Sequence, residues 1–127
     1  MPNEVAVKTW RELSRQFTAV SSALENALQE QHKLGMSEFE VLDRLAENEH
    51  QTLRMQDLGI LIHLSQSALS RTVARLERDG LVERTLCVSD RRGVYVRLTD
   101  TGQERHAAAQ PTHRQVINST LGAPAGA

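Results

Sequence analysis

Only two residues, His63 and Leu64, separate two segments with helical hydrophobic spacing. The first, Met55-Gln56-Asp57-Leu58-Gly59-Ile60-Leu61-Ile62, is a short helical candidate. The second opens at Ser65, a residue type that caps helix N-termini, and repeats Ala68, Leu69, Thr72, Val73 and Leu76 at helical intervals. His63 occupies a turn where glycine is the easy choice, and histidine tolerates a left-handed backbone better than most residues. Gly80 supplies the left-handed residue that closes the second helix, with Arg75 and Arg78 near its C-terminal dipole. Two helices joined by so tight a turn form a helix-turn-helix signature.

Beyond Gly80 the hydrophobic period changes from helical to two. Leu81-Val82-Glu83-Arg84 and Val94-Tyr95-Val96-Arg97-Leu98 are strand-like, with Val94, Val96 and Leu98 facing inward. Ser89-Asp90-Arg91-Arg92-Gly93 makes a charged hairpin tip between them. Thr99 caps a further helix running from Asp100 towards Ser119, which Pro111 is expected to kink or interrupt. Upstream, Trp10, Leu13, Phe17, Val20, Leu24 and Leu28 form one stripe of a long helix, suited to a partner helix as well as to the chain's own core. Ser37-Glu38-Phe39-Glu40 reads as a capping box opening a second helix that buries Phe39, Leu42 and Leu45. A polar loop follows Glu47-Asn48-Glu49. The expected fold is mainly α with a small β-wing (α+β). An N-terminal helix occupies 1–35, the winged helix-turn-helix 36–99, a C-terminal helix 100–121 and a flexible tail 122–127, the two flanking helices serving dimerisation.

The 127-residue chain suits one domain that buries a real core. Its single cysteine rules out an internal disulfide framework. No apolar run approaches the ~20 residues of a membrane helix, and MPNEVAVKTWREL lacks the apolar core and cleavage site of a signal peptide. A cytoplasmic location is expected, with no membrane partner. The net charge of -1 looks discouraging for nucleic acid, and four scattered rings, Trp10, Phe17, Phe39 and Tyr95, cannot make a stacking platform for single strands. The neutrality is nevertheless a sum of opposites. Residues 1–64 hold 6 Lys+Arg against 10 Asp+Glu, whereas residues 65–97 hold 7 against 4.

Helix-turn-helix, strand, basic hairpin and strand follow one another in the order of a winged helix, whose logic is duplex recognition. One helix fits the major groove, ~12 Å wide, while the hairpin reaches the adjacent backbone or minor groove. Ser67, Ser70, Arg71, Ala74, Arg75 and Arg78 share one face of the second helix, away from Leu69, Val73 and Leu76. Short serines let the backbone approach, and arginines take phosphates or guanine edges. The same residues also suit an ordinary solvated face, and the basic wing in register is what favours DNA.

Leu64-Ser65-Gln66-Ser67-Ala68-Leu69-Ser70-Arg71, then Arg75-Leu76-Glu77 and Asp79-Gly80-Leu81-Val82-Glu83-Arg84, resemble the recognition helix and first wing strand of MarR-type regulators. Ser89-Asp90-Arg91-Arg92, with Val96-Arg97-Leu98-Thr99 and Gly102 behind it, resembles that family's wing signature, and the likeness covers residues 8–118. It implies a homodimeric transcriptional regulator, usually a repressor, on a pseudo-palindromic double-stranded DNA operator, relieved by a small, often phenolic ligand. Carried over, Ser65, Gln66, Ser67, Ser70 and Arg71 become the base- and phosphate-contacting group, and Arg75 a phosphate contact. Arg91 or Arg92 becomes the minor-groove arginine of the wing, with Asp90 as its orienting partner. The family normally adds one more C-terminal helix to the dimer interface, whereas nothing here reads as helical after Leu121. Thr85-Leu86-Cys87-Val88 is more apolar than family wings usually are, and Ile60 and Leu61 stand where polar residues are usual.

Trp10, Arg11, Arg15 and His32 are candidates for the effector pocket, since an arginine beside a ring holds an aromatic carboxylate or phenolate. Cys87, with Arg84 and Arg91 nearby, allows a redox-sensing alternative; inert packing is the plainer reading. No i,i+4 histidine pair, nucleophile elbow or Gly-rich phosphate loop is present, so neither metal, cofactor nor enzymatic activity is expected. A winged helix that binds protein instead of DNA is the remaining competitor.

Overall fold

The structure, a computed structural model, describes residues 2–86 and 93–121. Five helices and a three-stranded antiparallel sheet follow in the order α1 (Pro2–His32), α2 (Met36–Glu47), β1 (Thr52–Arg54), α3 (Met55–Ile62), α4 (Gln66–Arg78), β2 (Val82–Leu86), β3 (Val94–Leu98) and α5 (Asp100–Thr120). The architecture is the mainly helical winged fold expected from the sequence. One apolar core joins Leu24 and Leu28 of α1, Phe39, Leu42 and Leu45 of α2, Leu58 of α3, Leu69, Val73 and Leu76 of α4, Val82, Val96 and Leu98 of the sheet and Ala109 of α5. Among the described residues no helix is long and apolar enough to cross a membrane.

The local signals around the helix pair act as their chemistry dictates. Ser65 Oγ accepts the Ala68 N–H at 3.2 Å, and His63 adopts φ 58 and ψ 39, the left-handed turn anticipated from its position. At the other end of α4 the Leu81 N–H reaches the Leu76 carbonyl at 2.9 Å and the Gly80 N–H reaches Glu77 at 3.0 Å. With Gly80 at φ 76, this is a Schellman closure. Thr99 Oγ1 accepts the Gly102 N–H and donates to the Gly80 carbonyl, so one side chain caps α5 and clasps the exit of α4.

The sheet has strand order β1-β3-β2. β2 and β3 form the expected hairpin, with Val82 opposite Leu98 and Arg84 opposite Val96. β1 falls in the segment read as a polar loop. Three residues are too short to display an alternation, and their place is set by pairing with β3, Leu53 opposite Val96.

Two further local expectations are corrected. The box at the start of α2 is built on Gly35 rather than Ser37: Glu38 Oε1 accepts the Gly35 N–H at 2.7 Å. Glycine has no side chain to return that bond, and Glu25 of α1 instead accepts the Met36 N–H at 2.8 Å. Of the two outcomes expected at Pro111, a kink or an interruption, the interruption does not occur: α5 runs as one helix from Asp100 to Thr120. Proline costs ~3 kcal/mol inside a helix, and here tertiary ties hold α5 on both sides of it. Arg105 donates to the His32 carbonyl before Pro111, and Thr112 bonds His32 Nε2 after it.

The stripe on α1 divides. Leu24 and Leu28 are buried, while Trp10, Leu13 and Phe17 are 66%, 56% and 70% exposed. That leaves an apolar N-terminal half largely uncovered by the described residues. The tail at 122–127 lies outside the described residues, as do Cys87, Asp90, Arg91 and Arg92.

Candidate nucleic-acid interface

The amphipathic pattern of α4 fixes its rotation. Leu69, Thr72, Val73 and Leu76 face the core, which leaves Ser65, Gln66, Ser67, Arg71, Ala74, Arg75 and Arg78 exposed and Ser70 half-buried. The small Ser67, Ser70 and Ala74 leave backbone accessible along this face. The structure thus brings together all six residues assigned to α4 and its cap, at a helix end whose Ala68 N–H is already taken by Ser65.

The charge on this side is less freely available than a residue count suggests. Arg78 lies 3.4 Å from Asp79, Arg84 3.5 Å from Glu77 and Arg97 2.5 Å from Glu83, its cross-strand neighbour. Arg75 is turned towards α2, with Nε 4.0 Å from the largely buried Glu38 carboxylate and Nη2 3.3 Å from Thr72 Oγ1. It must leave that partner to reach a phosphate. Arg71 is exposed, and of the described arginines between 65 and 97 it alone has no carboxylate within 4.0 Å. The assigned wing-tip contacts, Asp90, Arg91 and Arg92, lie outside the described residues.

Arg84 is the structural residue that sequence reading missed. From β2 its guanidinium donates to the Ser70 carbonyl at 3.2 Å, and its backbone N–H meets Glu77 Oε2 at 3.3 Å. One arginine therefore fixes the first wing strand against the middle of α4. Its seven-residue spacing from Glu77 is the available signal, but the Schellman turn must be known before that spacing implies contact.

A cavity of about 520 Å³ lies between the middle of α1, the start of α2 and the end of α3. Leu13, Phe17, Val20, Leu24 and Ile62 supply its apolar wall, Glu40 and Arg44 its charged wall, and His63-Leu64 its floor towards α4. None of the four effector candidates lines it. Trp10, Arg11 and Arg15 are exposed on α1, where Arg15 pairs with Glu12 one turn away and Glu12 is held below its ordinary pKa by that bond. His32 is occupied by Thr112, 2.8 Å away. The hollow opens on the α1 face that carries Leu13, Phe17, Val20 and Leu24, and the sequence does not say which face of the helix a neighbouring element will enclose. Arg44 is the cation that the cavity holds, shared at 4.0 and 3.9 Å with Glu40 and Glu47.

A capped recognition helix, a wing strand pinned to it and flanking helices define a winged helix-turn-helix protein. Comparison with known proteins identifies the group: residues 34–94 match the MarR family model. The chain is 30% identical over 112 residues to an uncharacterized HTH-type transcriptional regulator, YkoM of Bacillus subtilis, covering 87% of this chain and 70% of YkoM. It is 32% identical over 79 residues to the homoprotocatechuate degradative operon repressor of Escherichia coli, covering 62% of this chain and about half, 52%, of that protein. Among solved structures it superposes on Sco3205, a MarR family transcriptional regulator from Streptomyces coelicolor in complex with DNA, with a TM-score of 0.84. That match has 33% identity and covers 89% of this chain and 71% of Sco3205. The chain belongs to the MarR family of transcriptional regulators, whose members are DNA-binding proteins and not enzymes.

Proposed function

We propose that this chain is a cytoplasmic repressor that acts as a homodimer on a pseudo-palindromic double-stranded DNA operator and is released by a small aromatic ligand. The observation that carries the DNA reading is the exposed face of α4, on which Arg71 is the uncommitted cation among small side chains. Ser65, Gln66, Ser67 and Ser70 meet base edges and phosphates beside it, Arg75 exchanges Glu38 for a phosphate, and Arg91 or Arg92, oriented by Asp90, enters the minor groove. The DNA complex of Sco3205 supports DNA as the partner, and the operon repressor of E. coli supports repression as the outcome.

The uncovered apolar half of α1 supports self-association, since Trp10, Leu13 and Phe17 present contiguous apolar surface to water. The cavity supports an effector. Its volume falls within the ~300–1,000 Å³ range of small-molecule sites, and its apolar wall with one arginine suits an aromatic acid or phenol.

Gel-shift binding with a salt titration tests the reading. A steeply negative dependence of log K on log salt, with binding weakened in Arg71→Ala and Arg92→Ala by about 1–3 kcal/mol each, is expected. Both variants binding a selected duplex as tightly as the parent overturns the face assignment. A thermal-shift screen of aromatic acids and phenols tests the cavity, with the matching ligand raising Tm and releasing DNA, and Arg44→Ala removing both effects.

A further inference from the structure

Gly59 stands in α3 with no backbone reason to be glycine. It is buried, lies inside the helix and does not have a positive φ, and glycine is the weakest helix former after proline. The space above it explains the choice. A Cβ at residue 59 would fall 2.6 Å from Gln66 Nε2, while the next atoms, Leu64 O and Leu69 Cδ2, at 3.4 and 3.5 Å, would be in ordinary contact. The carboxamide of the first residue of α4 therefore occupies the place a methyl group would take.

Gln66 is exposed and borders two hollows on the outer side of the helix pair. One is shared with Ser70 and Arg84 towards the wing, the other with Ile60 and His63 towards the turn. Its amide sits at the leading end of the helix proposed to enter the groove, with Nε2 over Gly59 and the side chain still exposed beside both hollows. A carboxamide offers one acceptor and two donors, the set that matches adenine N6 and N7 in the major groove. A free glutamine loses rotamer entropy when it binds; one already lodged against α3 loses less.

We infer that Gly59 is a positioning residue for sequence reading: its missing methyl seats the Gln66 amide, and the seated amide discriminates one base, adenine, in each half-site. The inference rests on the proposed DNA binding and adds the residue pair that sets its specificity.

Selection of duplexes from a random library, with the full chain and its variants, tests this. The parent is expected to prefer adenine by about tenfold at one position of each half-site, the discrimination of a good bidentate contact. Gln66→Ala loses that preference and retains the rest of the site. Gly59→Ala loses it too, while its melting temperature holds or rises, because alanine favours the helix and only the end of a flexible side chain must move. In the Gln66→Ala background, Gly59→Ala changes no base preference. A Gly59→Ala protein that selects the parental site overturns the inference and leaves DNA reading intact. A Gly59→Ala melting temperature that falls equally in both backgrounds, with the adenine preference retained, assigns Gly59 to helix packing and also overturns it. A parent chain that selects no sequence at all overturns the DNA reading together with the inference.

Discussion

His106 Nε2 lies 2.7 Å from Asp43 Oδ1, both residues buried, and Arg114 donates to both oxygens of the same carboxylate at 3.1 Å. The Phe39 ring stacks with the rings of His106 and His113, at centroid distances of 5.5 and 4.5 Å. α5 is thereby fastened to α2 by charge and aromatic stacking, and α2 is the helix on which α3 and α4 rest.

Burial is the largest single influence on the Asp43 carboxyl and pushes its pKa up, but the bonds from Arg114 and His106 together outweigh it and hold the group below its ordinary value. A depressed carboxylate stabilises the fold fully above its unfolded pKa, about 3.9. That contribution is lost as pH falls through the lowered folded value. Asp43→Asn is expected to flatten the acid limb of stability below about pH 4, and to cost on the order of 2 kcal/mol at pH 7. That is less than a fully buried pair would lose, because the Arg114 side chain is 43% exposed. Urea denaturation across a pH series measures both effects.

Gly102 allows the first turn of α5 to lie against the exit of α4. A Cβ there would sit 2.0 Å from the Leu81 carbonyl oxygen, and backbone cannot move aside as a side chain can. Gly102→Ala is expected to destabilise by about 1–3 kcal/mol through overpacking, despite alanine's better helix propensity. Thermal melting measures the loss, and an unchanged or raised Tm would contradict this packing.

Arg71 and Arg84 sit near one another in the sequence count of basic residues but are expected to fail differently. Arg71→Ala removes an uncommitted charge, so affinity for DNA falls and the salt slope drops by about one. Arg84→Met removes the bond to the Ser70 carbonyl and the pairing with Glu77. Stability falls by about 1 kcal/mol, and DNA binding weakens with little change in salt slope. Salt-titrated binding together with denaturation separates the two roles.

Phe17→Glu places a charge in the uncovered stripe of α1, where the side chain is 70% exposed in the single chain. The fold of one chain has little to lose from that change, whereas an interface formed by Trp10, Leu13 and Phe17 would bury the charge. Analytical ultracentrifugation is expected to show a dimeric parent and a monomeric variant of unchanged helicity.

Most of the fold, and the α4 face, were legible because the decisive signals are local. Ser65 and Thr99 cap helices through N–H groups three residues away, and Gly80 closes α4 within the six residues from Leu76 to Leu81. Val94, Val96 and Leu98 announce a strand by alternation. The cavity and the effector candidates lie on different parts of α1 for the complementary reason. Trp10, Arg11 and Arg15 share a helix with Leu13 and Phe17, yet only the latter two reach the cavity. Membership of a helix does not say which of its residues another element will roof over. Arg44, the cation that does reach it, reads in sequence as one more charge on an amphipathic helix.

The sequence by itself determined where α4 starts and stops and where α5 starts, which face of each is apolar, and the basic character of the segment after Ser65. Each of these depends on residues within a few positions, where the geometry of a helix or strand fixes what can touch. Only the tertiary structure decided that Glu25 completes the cap of α2, that β1 exists, that Pro111 leaves α5 unbroken, and that four of the described arginines near α4 are already committed to carboxylates. Those outcomes depend on contacts between separate elements, and periodicity states which face of an element is apolar without stating what that face will meet.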